Sequence, residues 1–104
     1  MTPTGSRTFL VECYVPDVDP AAVEADARRA SAIAADLRRS GVELEYVNAM
    51  LVPGDDAVFH VFAAHDEETV REASLRAELP FERIVESIAI FEQPTAAPMP
   101  GRPR

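Results

Sequence analysis

Apolar and polar residues alternate along residues 8–15, and this period of two predicts a β-strand because successive side chains point to opposite faces. Pro16 follows and ends the strand. Glu12 indicates which face points away from the core, since burying a carboxylate is costly. The predicted inner face is Phe9, Val11 and Cys13, and the predicted outer face is Leu10, Glu12 and Tyr14.

The stretch 42–64 contains two further apolar runs, separated by the sequence PGDD at 53–56. This cluster cannot continue a strand and favours a turn, so the stretch is predicted to form a β-hairpin. His60 is the polar side chain on its face of the second hairpin strand, and what it meets there is the main functional question. Its face consists of Val58, His60 and Phe62, and the opposite face of Phe59, Val61 and Ala63.

Apolar residues at helical spacing predict two helices. Asp19 and Pro20 mark the start of the first helix as N-cap and first-turn proline, and Gly41 is placed to end it. Asp66 is predicted to cap the second helix. Pro80 closes that helix, because the residue before a proline is disfavoured in the helical conformation.

The last strand is predicted over residues 84–91, which gives the order β-α-β-β-α-β. This order predicts a ferredoxin-like α+β fold, in which a four-stranded antiparallel sheet carries both helices on one face. The expected strand order across the sheet is 4-1-3-2. One domain is expected over residues 7–92, between a disordered lead at 1–6 and a proline-rich, disordered tail at 93–104.

The side of this sheet that lacks helices must contact water, a partner or a ligand. Period-two alternation, oriented by Glu12, His60 and Glu86, predicts which residues point outward on each strand. They are Leu10, Glu12 and Tyr14; Tyr46, Asn48 and Met50; Val58, His60 and Phe62; and Ile84, Glu86 and Ile88. Soluble monomers avoid exposing so large an apolar patch. The chain is therefore expected to form a homodimer, sheet against sheet, as a dimeric α+β barrel.

Three of the outward residues, Glu12, His60 and Glu86, are expected to converge. Their nitrogen and oxygen donors suit nickel, zinc or iron, so they form a predicted site for a divalent metal. In a catalytic pocket, Glu12 and His60 would act as acid and base, with Tyr14 as a third catalytic group. A further interpretation is that arginines pair with both glutamates across the dimer interface, while His60 is hydrogen-bonded there. The expected ligand pocket is formed by Tyr46, Asn48, Met50 and Phe62.

The chain is acidic, with a formal net charge of −8, and every basic residue is an arginine. Without a basic stripe it is a poor partner for nucleic acid or an anionic membrane. No apolar run is long enough to span a bilayer and the polar N-terminus does not resemble a signal peptide, so a cytoplasmic location is expected. The single Cys13 cannot form an internal disulfide and is expected to be a small buried thiol.

Several short segments resemble a known family. They are FLVE at 9–12, GV at 41–42, the hairpin at 46–64, DEETVR at 66–71 and LPFERIVE at 79–86. Together they resemble the small bacterial ferredoxin-like proteins of uncharacterised function that are typified by an actinobacterial nickel-binding protein. The resemblance implies a ferredoxin-like dimer that binds a divalent metal, with nickel as the first candidate.

The same resemblance implies how the candidate residues correspond to the family pattern. Glu12 and Glu86 match glutamates of the family. Asn48 stands where the family has a histidine in its second strand, and His60 stands where it has a cysteine in its third. The exchange preserves a polar site and changes its set of ligands.

Two functions are predicted from these features. The first is a small dimeric ferredoxin-like protein that binds a divalent metal or a small ligand on its sheet face. The alternative is a cofactor-free isomerase or cyclase of the dimeric α+β barrel type, acting on a small apolar metabolite by acid–base chemistry. This alternative rests on analogy between folds.

Overall fold

The structure, a computed structural model, describes residues 7–91 and residue 93. It confirms the element order β-α-β-β-α-β and the ferredoxin-like α+β fold. The predicted lead at 1–6 and all but one residue of the predicted tail at 93–104 lie outside the described residues. The elements are β1 (Arg7–Tyr14), α1 (Pro20–Arg39), β2 (Leu44–Val52), β3 (Ala57–Ala64), α2 (Glu67–Arg76) and β4 (Phe81–Ser87).

The four strands form one antiparallel sheet in the order β2-β3-β1-β4, which is the predicted order. Both helices pack on the same face of this sheet. Residues from all four strands meet the small residues of the helices in the core, which contains Phe9, Val11, Ala30, Ala34, Leu37, Leu44, Phe62, Val70, Ala73 and Ile84. No helix among the described residues is both long and apolar enough to cross a membrane.

Side-chain and backbone caps fix the ends of α1 as the sequence predicts. Asp19 Oδ1 accepts a hydrogen bond of 3.0 Å from the backbone N–H of Ala21, and Pro20 is the first helical residue. At the other end Gly41 adopts a φ of +95°, a left-handed conformation that suits glycine. The guanidinium of Arg38 donates to the carbonyl of Leu44, which ties the helix end to β2.

The predicted hairpin and the cap of α2 are also present. Residues Pro53–Asp55 form a single 3₁₀ turn between β2 and β3, and Asp56 completes it with a φ of +51°. Asp66 caps α2 by accepting hydrogen bonds from the N–H and hydroxyl of Thr69, at 2.9 and 2.7 Å. The turn and the cap thus lie on either side of β3, the strand that contains His60.

The last strand lies closer to the N-terminus than the predicted 84–91. It covers Phe81–Ser87, and Ser87 pairs with Thr8, the second residue of β1. Beyond Ser87 almost nothing of β1 remains to pair with, so the strand ends there. Ile88, expected on an outward strand face, lies past the end of β4 and is exposed.

The expected outward face of β3 is wrong. The register opposes Phe9 to Phe62 and Val11 to His60, and opposed residues in antiparallel strands share a face. Since Phe9 and Val11 belong to the core under the helices, His60 and Phe62 point toward the helices too. Both faces of β3 are apolar, so the alternation alone could not distinguish them. Val58 is opposed to Cys13 and lies on the same inner side.

The outward assignment is also wrong for parts of β2 and β4. A bulge at residue 47 places Tyr46 opposite Phe62, on the helix side. Asn48 and Met50 face outward as predicted, because they are opposed to Val61 and Phe59. Ile84 is opposed to Val11 and is buried in the core. The sheet face without helices is called the open face below. It carries Leu10, Glu12, Tyr14, Asn48, Met50, Val52, Phe59, Val61, Arg83 and Val85.

Candidate functional site

His60 is buried between the sheet and α1, with 1% of its surface exposed. Its Nδ1 shares a hydrogen bond of 2.7 Å with the hydroxyl of Tyr46 on the neighbouring strand. The centroids of the two rings are 5.9 Å apart, and Phe62 packs edge-on against Tyr46 at 5.1 Å. The structure therefore encloses a polar pair, called the His60–Tyr46 pair below, among apolar side chains.

Burial determines the protonation states of this pair. Desolvation lowers the pKa of His60 below its ordinary value, and Asp26 on α1 opposes that shift only in part. Desolvation also raises the pKa of Tyr46 to about 12. Both side chains are neutral at pH 7, so their hydrogen bond joins two uncharged groups.

Two cavities lie beside the pair, both against the first half of α1. A cavity of about 80 Å³ is lined by His60, Cys13 and Asp26 together with apolar residues. A larger groove of about 400 Å³ lies between α1 and the edge strand β2, and Tyr46 forms part of its wall. Val23 lines both cavities. The His60–Tyr46 pair thus stands between an inner cavity and a groove that opens at the edge of the sheet.

Glu12 lies near the centre of the open face and is 7% exposed although neither helix covers it. The Nε of Arg83, directly opposite on β4, donates a hydrogen bond of 3.0 Å to Oε1 of Glu12. This contact raises the pKa of the Arg83 guanidinium. The carboxylate is buried among its neighbours, whereas the arginine side chain remains 66% exposed.

Glu86 forms a separate ion pair at the far end of β4. Its two carboxylate oxygens accept hydrogen bonds from Nε and one terminal nitrogen of Arg7, at 3.0 and 2.9 Å. This pairing lowers the pKa of Glu86. Both Glu12 and Glu86 therefore have arginine partners, as one interpretation of the sequence expects, but these arginines belong to the same chain and not to a dimer partner.

The predicted convergence of Glu12, His60 and Glu86 is wrong within one chain. Glu12 lies on the open face, whereas His60 points toward the helices. Glu86 is opposed to Phe9, so it lies on the helix side and not outward as expected, and Arg7 holds it at the end of its strand. Tyr14 shares the open face with Glu12 and is half-exposed. The sheet therefore separates His60 from the two residues expected to act with it in catalysis.

The four residues of the expected ligand pocket are also divided. Tyr46 lies under α1, and Phe62 is fully buried in the core. Met50 lies on the open face, whereas Asn48, at the edge of the sheet beside the bulge, contributes to the wall of the groove. Tyr46 and Asn48 therefore share a cavity, but not the one that was expected.

The fold defines the chain as a ferredoxin-like α+β protein with a polar pair under α1 and an ion pair on its open face. The chain belongs to the family described as nickel responsive protein SCO4226-like, which it matches over residues 9–86. No curated protein and no solved structure matches it. Family membership agrees with the resemblance found in the sequence, and it makes nickel the metal to consider.

The candidate metal donors of the described residues are dispersed over the fold. Among residues 7–91 and 93, no three His, Cys, Asp or Glu side chains lie close enough together to hold one metal. Cys13 and His60 line the same small cavity, but burial raises the pKa of the Cys13 thiol to about 11, so a metal bound there would have to displace the thiol proton.

Sequence reasoning missed Arg83 and Asp26. Arg83 was outside the predicted last strand, which begins one residue later, so its position opposite Glu12 could not be foreseen. A predicted strand that began directly after Pro80 would have included Arg83. Asp26 is a charged residue of α1, and the spacing of the apolar residues along that helix does not indicate that it lies near His60.

Proposed function

We propose that the protein is a nickel-responsive homodimer that packs through its open face and binds the divalent cation between its two protomers. The proposal is carried by Glu12, a carboxylate that is 7% exposed on a sheet face without helices. Such a group, at the centre of a face that can meet a second copy, becomes a metal donor once a partner supplies more ligands. Family membership supplies the identity of the metal.

The apolar residues of the open face support the homodimer. Phe59 is opposed by Glu12 on one side and by Met50 on the other, so it marks the middle of this face. Met50 is 46% exposed and Tyr14 is 52% exposed in the single chain. Association of two such faces removes these side chains from water, which favours a dimer at about 25 cal/mol per Å² of apolar area buried.

A two-fold axis would bring together donors that the described residues of one chain keep apart. Such an interface presents every donor twice, so Glu12 of each protomer brings a carboxylate to the same interface. The cation competes there with Arg83, which holds the carboxylate in the single chain. Removal of Arg83 should therefore strengthen nickel binding, and removal of the carboxylate should weaken it.

Sedimentation velocity at micromolar concentration tests the dimer. Wild type should sediment as a dimer, whereas Phe59→Glu and Met50→Glu should sediment as monomers because each places a charge in the interface. Leu75→Glu is the matched control, since Leu75 is a 62% exposed leucine on α2, on the other side of the sheet. A monomeric wild type, or two folded open-face variants that still dimerise, would overturn the proposal.

Calorimetric titration of nickel into chelator-stripped protein tests the site. Wild type should bind saturably, Glu12→Gln should bind at least tenfold more weakly, and Arg83→Met should bind more tightly. Glu86→Gln is the control, because that glutamate is held by Arg7 away from Glu12. Binding that is unchanged in Glu12→Gln, or equally strong in a monomeric Phe59→Glu protein, would exclude an interprotomer site.

The alternative function, a cofactor-free isomerase or cyclase, needs Glu12, His60 and Tyr14 to reach one substrate. Within a chain the sheet lies between His60 and the other two residues. These three groups cannot act together on a small molecule bound to one protomer. Metal binding is therefore the function we propose.

A further inference from the structure

The groove between α1 and β2 is built into the way α1 meets the sheet. In the second half of the helix, Ala30 and Ala34 are fully buried against the strands. In the first half, Val23 and Ala27 are only partly buried and leave a space of about 400 Å³ beside β2. The walls are mainly apolar and include Pro20, Val23, Ala27, Tyr46, Ala49 and Leu51. This volume is in the range of small-molecule sites.

The groove has a buried polar feature as well as apolar walls. Tyr46 forms part of its wall, and the Tyr46 hydroxyl bonds to His60, whose surface is 1% exposed. A buried polar pair adds little net stability compared with an apolar pair of similar size. Stability alone therefore does not explain a polar pair at these positions. A hydroxyl already held by one partner can still bond a second, since it carries one donor and two acceptor sites.

The charges near the groove do not favour an ionic ligand. Glu24 lines the groove and Asp26 lines the inner cavity next to it, while the whole chain carries a net charge of −8. Each of these two acids is paired with an arginine of α1, so neither is free to bind a cation strongly. The walls and the hydroxyl therefore suit an uncharged molecule.

We infer that the α1–β2 groove is a binding site for a small, uncharged, mostly apolar molecule that carries one hydroxyl group, such as a simple phenol, with that hydroxyl bonded to Tyr46. The apolar body of the ligand lies against Val23, Ala27 and Leu51. The site is on the helix side of the sheet, so it is separate from the Glu12 region of the open face and independent of nickel.

Chemical-shift titration of ¹⁵N-labelled protein with three probes tests this site. 4-Methylphenol should give saturable shifts in the amides of α1 and β2. p-Xylene has the same shape without the hydroxyl and should bind about fivefold more weakly, the effect of one neutral hydrogen bond. 4-Methylbenzoate carries a charge and should give no saturable shifts.

Three variants make the test specific to the groove. Ala27→Phe should fill the groove and abolish binding of 4-methylphenol, whereas Ala32→Phe, the same change at an exposed position of α1, should leave it unchanged. Tyr46→Phe should weaken 4-methylphenol to the level of p-xylene and leave p-xylene itself unaffected.

Three results would overturn the inference. They are a wild type without saturable shifts for 4-methylphenol, an Ala27→Phe protein that binds as well as wild type, and a Tyr46→Phe protein that still prefers the phenol over p-xylene. Nickel titration of Ala27→Phe keeps the two proposals apart, because that variant should bind nickel as wild type does.

Discussion

The hydroxyl of Tyr46 lies 2.7 Å from Nδ1 of His60, and this contact joins the edge strand β2 to β3 beneath α1. The residues are 14 positions apart and stand on opposite sides of the hairpin turn. A bulge at residue 47 of β2 leaves Tyr46 on the inner side of the sheet and shifts the alternation of the residues that follow it. The contact therefore depends on the turn and the bulge together.

Tyr46→Phe should lower the free energy of unfolding by about 1–2 kcal/mol, because it leaves the buried Nδ1 of His60 without its partner. Urea denaturation followed by circular dichroism measures the change. The transition should keep its slope, since the variant removes one oxygen and exposes no new surface.

A double-mutant cycle with His60→Leu separates this hydrogen bond from other effects. The coupling energy between Tyr46→Phe and His60→Leu should be about 1 kcal/mol, because the two groups are in direct contact. His65, the exposed histidine, provides the comparison: His65→Leu and Tyr46→Phe should be additive. A coupling energy of zero between Tyr46→Phe and His60→Leu would contradict the hydrogen bond.

The stability of the protein should depend on pH through His60. Burial lowers the pKa of His60 in the folded state, so below about pH 6.5 the unfolded chain takes up a proton that the folded chain does not. The contribution of His60 to stability is therefore complete above that pH and is lost as the pH falls, by at most about 1.4 kcal/mol per unit. The groups around the ring are Tyr46, Asp26, Arg29 and Cys13.

Urea denaturation between pH 7.5 and 5.5 measures this dependence. Wild type should lose stability over the range, and His60→Leu should lose distinctly less because it lacks the titrating ring. The exposed His65 is present in both proteins and cancels in the comparison. Equal slopes for the two proteins would show that His60 does not titrate as inferred.

Cys13 should resist alkylation in the folded protein. The thiol is 1% exposed, and burial raises its pKa from 9.0 to about 11. The fraction of thiolate at pH 8 is then lower than in an unfolded chain by about a hundredfold, and access is lost as well. Iodoacetamide labelling followed by mass spectrometry should give one adduct in urea and almost none in buffer. Rapid labelling in buffer would show that the cavity beneath α1 opens readily.

The two ion pairs of β4 should differ in their contribution to stability. Arg83→Met leaves the carboxylate of Glu12, with 9% of its side chain exposed, without a partner, whereas Arg7→Met leaves Glu86, with 34% exposed, in contact with water. A stranded buried charge is more costly than a solvated one. The urea midpoint should therefore fall further in Arg83→Met than in Arg7→Met. The reverse order would indicate that Glu12 is better solvated than its burial implies.

The sequence by itself determined the elements and their order, because their signals are local. Asp19 and Asp66 cap helices with side chains that reach backbone groups two and three residues ahead. Gly41 supplies a left-handed conformation at the end of α1, and PGDD at 53–56 supplies the hairpin turn. The family resemblance was likewise carried by short contiguous segments, and the match over residues 9–86 agrees with it.

Only the tertiary structure decided which way β3 faces, and with it the site. Val58 and Phe62 on one face of the strand are as apolar as Phe59 and Val61 on the other, so no hydrophobic pattern could select the buried side. The polarity of His60 suggested that it faces outward, but Tyr46 on β2 supplies its hydrogen bond on the helix side of the sheet. That partner depends on a bulge, and a bulge shifts one strand against its neighbour without a signature in period-two alternation.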